Sequence, residues 1–319
     1  MRALRFHAYG SADLLLVEDV PEPQPRVGEA KVRVAAAALN PLDWKLRAGH
    51  LRYIPGMAGP PRGLGVDFAG EIVGVGGGAT ERHVGEPVFG AVLPLARDGA
   101  LAQFVCVPFT QLMPMPPALD AVHAAALPTA AGAALLALAD IGHVTAGQSV
   151  LVTGAAGGVG HFAVQIGAAH GAAVTGVCGA GNVEFVRAQG AARVLDYARE
   201  DFTQDPAQYD VIFDAAGAAS FARARARLTE RGVYVSSGGD ARAAVGTALA
   251  AIGARITSRQ RAAIVVARPR AVLLQCLAAL VADGTLRPHV ERVIALDDVA
   301  AAQAGMEAGH GRGKIVVAL

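Results

Sequence analysis

Ser149-Val-Leu-Val-Thr-Gly-Ala-Ala-Gly-Gly-Val-Gly160, continued to His170, reads as a buried strand, a glycine turn and a helix. Val150–Val152 is short, apolar and β-branched, as a buried strand should be. The turn runs from Gly154 to Gly160, and the helix behind it carries Phe162, Val164 and Ile166 before a stop signal at Gly171. Ala173–Val177 then reads as a second strand. The result is a βαβ unit whose glycine turn opens a helix, and the free N–H groups at that helix start suit a pyrophosphate. In Ala155-Ala-Gly157-Gly158-Val159-Gly160, alanine stands where the first glycine of GxGxxG usually sits. Gly157 lets backbone approach the pyrophosphate, and Gly160 lets the helix pack closely on the strand. Between a strand and a helix the string points to a dinucleotide. The other reading is a packing turn between Ala/Gly-rich elements.

Outward from this unit, composition narrows the class. With 319 residues the chain is long enough for two domains and a sizeable core. A formal net charge of +1 with 17% charged residues argues against a nucleic-acid footprint or a polybasic membrane anchor. Arg223, Arg225 and Arg227 form the one basic cluster and alternate with alanines, as on a solvated helix face. The three cysteines, Cys106, Cys178 and Cys276, are widely spaced, which fits a reducing cytosol rather than a disulfide framework. Met1–Phe6 lacks the apolar run of a signal peptide, so a cytoplasmic protein is expected. Ala121–Ala139 is apolar but carries His123 and Pro128, and reads as a buried Ala-rich helix rather than a membrane span.

Residues 1–121 have β character. Leu14–Val17, Lys31–Ala35, Glu71–Val75, Pro87–Phe89 and Gln103–Val107 read as strands among Gly and Pro turns, which suggests a compact barrel-like domain. Residues 108–118 are proline-rich and read as a crossing segment. Residues 122–262 alternate between helix and strand. After the opening unit come strands at Arg193–Leu195, Asp210–Phe213, Gly232–Ser236 and Ala254–Thr257, with helices at Glu184–Ala188, Ser220–Leu228 and Ala243–Ile252. That alternation makes a doubly wound parallel sheet. Residues 263–319 add a helix over 270–283, a strand at Val290–Ile294, a helix at Asp297–Ala308 and a strand at Lys314–Ala318. This tail is expected to return and complete the first domain.

Further motifs point one way. Asn40-Pro-Leu-Asp43-Trp-Lys45-Leu-Arg47-Ala-Gly49 resembles the NPxDxxxRxG segment of the zinc-free medium-chain dehydrogenase/reductase superfamily. Gly65-Val-Asp67-Phe-Ala-Gly70-Glu-Ile-Val-Gly-Val-Gly76 resembles its GxDxAGxVxxVG segment. Gly85–Gly90, Leu127-Pro128, the Ala155–Gly160 turn, Asp214-Ala-Ala-Gly217 and Gly311-Arg-Gly-Lys314 fall in the family order, over essentially the whole chain. The resemblance is to the quinone oxidoreductase and enone reductase branch. It implies an α/β protein with a GroES-like β-barrel catalytic domain and a doubly wound Rossmann domain. It also implies NADPH-dependent reduction of a quinone or a conjugated C=C bond, and homodimers paired edge to edge near Ala254–Ser258. In the superfamily's zinc alcohol dehydrogenases a cysteine occupies the place of Asn40 and a histidine that of Val66. Asparagine and valine cannot replace these ligands, and no cysteine lies between Val88 and Phe104 to build a structural zinc lobe. No metal is expected.

The cofactor residues follow from the turn and from the resemblance: Ala155, Gly157, Gly158, Val159 and Gly160 at the pyrophosphate, Cys178, Gly179 and Asn182 after the second strand, Tyr197, Ala216, Gly217 and Lys314. In NAD-binding folds an acidic residue ends the second strand and holds the ribose 2′-OH. Here that strand ends Cys178-Gly-Ala-Gly-Asn182, without a carboxylate and without Arg or Lys. In related reductases a basic residue lies near Gly181 and Asn182, and a Tyr stands at the position of Tyr197. Only the tyrosine is retained, and NADPH is favoured over NADH. Cys178 reads as a small neutral filler rather than a reactive thiol.

As hydride reaches the β-carbon of an enone, negative charge grows on the carbonyl oxygen, and a donor aimed at it lowers the barrier. Asn40, Lys45 and Tyr53 are the candidate catalytic residues. Asn40 is an amide donor, although Asn before Pro is also a common turn pair. Lys45 is one of three lysines and, in an apolar pocket, can protonate an enolate, although it also suits a solvated helix face. Tyr53 reads as a donor or a pocket wall. Asp43 is expected to cap the helix near Trp44 or to pair with Arg47. The segments Leu51–Arg62 and Arg259–Arg268 are expected to set specificity. Three rival readings stand beside this one. Thr153-Gly154-Ala-Ala-Gly-Gly158-Val-Gly160 also matches the TGxxxGxG of short-chain dehydrogenases, but those need Tyr-x-x-x-Lys, and position 310, ahead of Lys314, is His310. An enoyl-thioester reductase would need a basic groove, for which only Arg47, Arg52 and Arg62 offer themselves. A non-catalytic NADPH-binding protein on the same fold is the third.

Overall fold

The computed structural model describes residues 1–78, 81–237, 259–309 and 311–319. The helix expected at Ala243–Ile252, the strand at Ala254–Thr257, the dimer edge at Ala254–Ser258 and His310 lie outside the described residues. The chain divides into two compact units, Met1–Gly132 with Arg268–Gly284 and Pro288–Leu319, and Ala133–Ala267 with Thr285–Arg287.

In chain order the first unit contributes β1 (Arg2–Phe6), β2 (Leu15–Asp19), β3 (Glu29–Ala38), α1 (Pro41–Arg47), β4 (Arg62–Gly63), β5 (Asp67–Val75), β6 (Pro87–Ala91), β7 (Phe104–Pro108), β8 (Leu112–Pro114) and α2 (Ala121–Ala125). Helix α3 (Pro128–Leu135) leads into the second unit, which holds β9 (Ser149–Thr153), α4 (Gly160–Ala169), β10 (Ala173–Cys178), α5 (Val183–Ala188), β11 (Arg193–Asp196), β12 (Tyr209–Asp214), α6 (Phe221–Ala224), β13 (Leu228–Ser236) and β14 (Arg261–Ile264). The chain then returns with α7 (Ala271–Ala282), β15 (Val290–Ala295), α8 (Val299–Glu307) and β16 (Lys314–Ala318).

Strand β3 organises the first unit. Its Ala30, Val32, Val34 and Ala36 are buried at alternate positions, so one face enters the core with Phe6, Phe68, Ile72, Val88, Leu101 and Val105. The sheet runs β15-β16-β3-β5-β6-β8, with β7 also on β3, and a smaller sheet runs β2-β1-β4. Strand β16 pairs antiparallel with β3, Val316 opposite Ala38, so the end of the chain adds strands to this sheet. Buried Arg47 donates to Gln303 Oε1 at 2.9 Å, to the Gly10 carbonyl and to Glu307, fastening α1 to α8.

The second unit is a parallel sheet in the order β11-β10-β9-β12-β13-β14, every neighbouring pair parallel. Val150, Leu151 and Val152 of the central β9 are fully buried. The strand order reverses between β9 and β12, and in doubly wound sheets ligands bind at the strand C-termini of such a switch point.

Several expectations needed adjustment. The crossing segment 108–118 contains β8. The single helix expected over Ala121–Ala139 is two helices, α2 and α3, because Pro128 has no N–H to donate and turns the residue before it away from helical geometry. The helix expected over Ser220–Leu228 stops at Ala224, and a tight turn over Arg225–Arg227 brings Leu228 into register with Tyr209 of β12. Arg259–Arg268, expected to set specificity, includes β14.

Candidate functional site

In the second unit the functional turns meet at the switch point. Strand β9 ends at Thr153 and β12 at Asp214, which are register partners. Thr153 Oγ1 donates to Asp214 Oδ1. Asp214 also accepts from the N–H of Ala218 at 2.8 Å, the N–H of Ala219 at 3.1 Å and the Tyr234 hydroxyl at 2.8 Å. The Ala216 N–H donates to Thr153 Oγ1 at 3.3 Å. One buried carboxylate therefore shapes the Ala215–Ala219 turn and ties it to the strand that feeds the glycine turn. Burial and Asp214 hold the Tyr234 hydroxyl well above the usual tyrosine range, so it is a fixed donor.

The glycine turn is as tight as its letters imply. The Ala155 N–H donates to the Val177 carbonyl at 3.0 Å, and the Gly157 N–H to the Gly154 carbonyl at 2.9 Å. A Cβ on Gly160 would lie 2.0 Å from the Gly154 carbonyl oxygen, so only glycine lets α4 start this close to β9. Buried His161 is the second residue of α4, and its Nδ1–H donates to the Gly157 carbonyl at 2.9 Å, fastening the helix to the turn. Gly157, Gly158 and Val159 are partly exposed between these anchors.

At the outer edge Cys178 and Asp196 are register partners, so the segments Gly179–Asn182 and Tyr197–Arg199 leave the sheet side by side. The exposed Tyr197 ring covers Gly179, where a Cβ would meet its hydroxyl at 3.0 Å. Asn182 is half-buried in the same turn, and Ala216 and Gly217 are exposed on theirs. Burial, and Asp196 beside it, hold the Cys178 thiol above its ordinary range, which suits a neutral filler. Arg199 is exposed here, with Asp196 at 3.7 Å. Arg199 follows the neighbouring strand β11, so its order in the sequence does not place it beside the end of β10.

In the first unit a buried polar cluster underlies α1. Asn40 caps the helix. Its backbone N–H donates to Asp43 Oδ2 at 2.7 Å, and its amide donates to Asp67 Oδ2 at 2.9 Å and to the Ala38 carbonyl at 3.3 Å. Its Oδ1 accepts from Lys314 Nζ at 2.6 Å. Both amide hydrogens are thus committed within the protein, which makes Asn40 a positioning residue here rather than a donor turned toward a substrate. Lys314, expected at the cofactor, is 3% exposed and inside this cluster. It donates to the Leu39 carbonyl at 2.9 Å and lies 3.9 Å from Asp67. Asp67 further accepts from the Thr129 N–H at 3.1 Å and hydroxyl at 2.6 Å. Burial raises the pKa of Asp67 and lowers that of Lys314.

Asp43 stands inside α1, which begins at Pro41 behind its N-cap Asn40 rather than near Trp44, and it does not pair with Arg47. It accepts from the N–H groups of Asn40 and Gly65, the latter at 3.0 Å. Burial is the largest influence on its pKa, which is pushed up to about 6. A carboxyl whose folded pKa exceeds its unfolded value binds its proton more tightly in the native state. Its contribution to stability is present below the unfolded value and is lost as pH rises toward about 6. Urea unfolding from pH 4 to 7 should show wild-type stability falling relative to Asp43→Asn by up to about 1.4 kcal/mol per pH unit inside that window. A constant difference between the two proteins would show that Asp43 stays ionised.

Lys45 is half-buried on α1 with Nζ 5.6 Å from the Trp44 ring. Tyr53 is 81% exposed, and Arg52 stacks on it at 4.7 Å and donates to its hydroxyl at 2.8 Å, so it is a surface ring rather than a buried pocket wall. Of the arginines that could greet an acidic thioester tail, Arg47 and Arg62 are buried and committed to protein acceptors, which leaves Arg52. The residues do not fit zinc: Asn40 and Val66 are not thiolate or imidazole, and no group of three or more His, Cys, Asp or Glu among the described residues is placed to hold a metal ion. Asp67, Thr129, Thr153, Asp214 and His161 carry no role that the sequence alone assigns. Asp67 and Asp214 did stand inside recognisable motifs.

Residues 26–117 match the family model described as alcohol dehydrogenase GroES-like domain, and residues 189–317 match the one described as zinc-binding dehydrogenase. The chain is 33% identical to the chloroplast envelope quinone oxidoreductase homolog of Arabidopsis thaliana over 99% of its own length and 98% of the relative's. It is 34% identical to the NADPH-dependent alkenal/one oxidoreductase, chloroplastic, of Arabidopsis thaliana over 68% of its own length and 58% of the relative's. The solved quinone oxidoreductase from Coxiella burnetii superposes with a TM-score of 0.90 at 29% identity, covering 100% of this chain and 99% of that one. No described helix is long and apolar enough to cross a membrane.

Proposed function

The chain belongs to the medium-chain dehydrogenase/reductase superfamily, in its quinone oxidoreductase and enone reductase branch, and from that premise we propose that it is an oxidoreductase transferring hydride from NADPH to a quinone or an α,β-unsaturated carbonyl without zinc. The observation that carries this reading is the place of Asn40. Where the zinc enzymes keep a thiolate, this chain has an amide held by Lys314, Asp67 and the Ala38 carbonyl, and Lys45 follows on the same helix. Polarisation of the acceptor then falls to side chains.

A bound nicotinamide would supply the hydride. The turn at Gly157–Gly160 and the start of α4 would hold its pyrophosphate, and the Ala216–Gly217 turn, shaped by Asp214, would line the same switch point. Tyr197 and Arg199 would receive a ribose 2′-phosphate, since no carboxylate ends β10. Lys45 donates to the acceptor's carbonyl oxygen. Hydride adds its electron pair at the β-carbon, the C=C π electrons move toward oxygen, and Lys45 or water protonates the resulting enolate. A quinone accepts hydride and a proton to become the hydroquinone. Asn40, Asp43, Asp67 and Lys314 keep α1 in place beneath Lys45.

We further propose a homodimer paired edge to edge near Ala254–Ser258, as in the family that the chain belongs to. A reducing cytoplasmic setting is supported by three free cysteines.

NADPH oxidation against quinones, 2-alkenals, cyclic enones and crotonyl-CoA tests the function. Turnover is expected with quinones or enones, with NADPH favoured over NADH. Lys45→Met should lower kcat/KM by about a hundredfold, the size of one well-placed donor. Cofactor binding without turnover across the panel would instead identify a non-catalytic protein. An unchanged kcat/KM in Lys45→Met would remove Lys45 from the chemistry.

A further inference from the structure

Arg62 is buried, is used nowhere in the chemistry above, and makes no ion pair among the described residues. A buried guanidinium must find partners for five N–H donors. Arg62 finds them almost entirely in backbone. Nε donates to the Gly63 carbonyl at 3.2 Å. Nη1 donates to the Ala58 carbonyl at 3.0 Å and to Met57 Sδ at 3.4 Å. Nη2 donates to the carbonyls of Pro94 and Ala96, each at 2.9 Å. One side chain thus joins two loops distant in sequence. Two further bonds reinforce the join, Arg97 Nη1 to the Pro61 carbonyl at 3.0 Å and the Gly63 N–H to the Arg97 carbonyl at 2.9 Å.

The joined segments share a chemistry. Tyr53–Pro61 and Leu93–Ala96 contain no charged residue. They nevertheless expose large apolar side chains, Tyr53, Ile54, Leu93 and Leu95. The first segment follows α1, the helix of Lys45, and the second follows Val92, whose N–H is bonded to the Val66 carbonyl next to Asp67. An acceptor held at its oxygen by Lys45 therefore has a largely apolar surface next to it in the chain, with the Arg52 guanidinium stacked on its Tyr53 ring.

We propose that Arg62 is a specificity-determining positioning residue: it clamps residues 51–61 to residues 93–98 so that their apolar side chains form one surface for the alkyl chain of a quinone or enone. This rests on the acceptor class proposed above. The fork geometry matters because lysine keeps the charge but offers three donors instead of five and cannot span the two loops.

The test uses the full chain as wild type, Arg62→Lys and Arg62→Met, with alkyl-substituted benzoquinones of increasing chain length. Affinity is read in two ways: as KM in NADPH oxidation, and as Kd from quenching of Trp44, the single tryptophan. In wild type each added methylene should tighten binding by up to about fourfold. In both variants that increment should shrink to less than half its wild-type value, while kcat with the shortest quinone and KM for NADPH stay within about twofold. Equal losses for short and long chains, or an increment unchanged in either variant, would overturn the proposal. Increments absent from wild type in both readouts would overturn it as well. Quenching increments without any NADPH oxidation would support the clamp while refuting the reductase reading.

Discussion

Lys314→Met is expected to destabilise the protein by about 3–5 kcal/mol. The ammonium is buried, bonded to the Leu39 carbonyl and Asn40 Oδ1, and 3.9 Å from Asp67. Methionine fills similar space but leaves Asp67 without a counter-charge and takes the donor from two buried oxygens. Breaking one side of a buried pair costs more than the pair contributes, because the remaining charge has no solvent to turn to. Unfolding in urea followed by Trp44 fluorescence reports on this unit, and the midpoint should fall at constant slope. The double variant Lys314→Met/Asp67→Asn should recover part of the loss, since it removes the stranded charge. A loss below about 1 kcal/mol, within the range of an exposed pair, would mean that Asp67 is already neutral in the native protein.

The second large effect separates two glycines of the same turn. In Gly160→Ala the new Cβ would lie 2.0 Å from the Gly154 carbonyl oxygen and 2.7 Å from Ala155 Cα, so α4 must retreat from β9. Overpacking of this kind costs about 1–3 kcal/mol, and NADPH affinity should fall at least tenfold, about 1.4 kcal/mol. In Gly157→Ala the nearest atom to the new Cβ, the Gly154 carbonyl oxygen, is 3.3 Å away, a close contact that a shift of a few tenths of an ångström relieves. Its methyl nevertheless stands where the pyrophosphate is proposed to approach. Gly157→Ala should therefore keep its stability within about 0.5 kcal/mol while losing NADPH affinity by a similar factor. Melting and cofactor titration of both variants decide the matter. NADPH affinity unchanged in Gly157→Ala would move the cofactor away from this turn.

Much of this was legible in the sequence because local rules sufficed. Val150–Val152, the glycine turn and Ala173–Val177 form one unit whose residues are neighbours in the chain. Period-2 burial marked β3, and Asp43 marked a helix near Trp44, although α1 begins earlier, at Pro41 behind Asn40. What escaped depends on long-range pairing. Strand β1 is a run of Arg, Ala, Leu and Phe whose partner β2 lies beyond a turn, and β4 is only Arg62–Gly63. The motif around Lys314 points to the cofactor and gives no hint of burial. Its real partners, Leu39 and Asn40, stand 275 and 274 residues away. Tyr53 carried the same ambiguity in the other direction, since an aromatic in a Pro/Gly loop can be a wall or a surface ring. Arg199 became visible only once β10 and β11 were in register.

The central claim is that hydride goes from the nicotinamide to the β-carbon of an acceptor whose oxygen is held by a side chain rather than a metal. Turnover of an enone with NADPH deuterated at C4, analysed by NMR of the product, tests this directly. One deuterium is expected at the carbon β to the carbonyl, with a solvent proton at the α-carbon and the carbonyl intact. Deuterium at the carbonyl carbon, giving an allylic alcohol, would contradict the account and return the chain to the alcohol dehydrogenase chemistry of its wider superfamily.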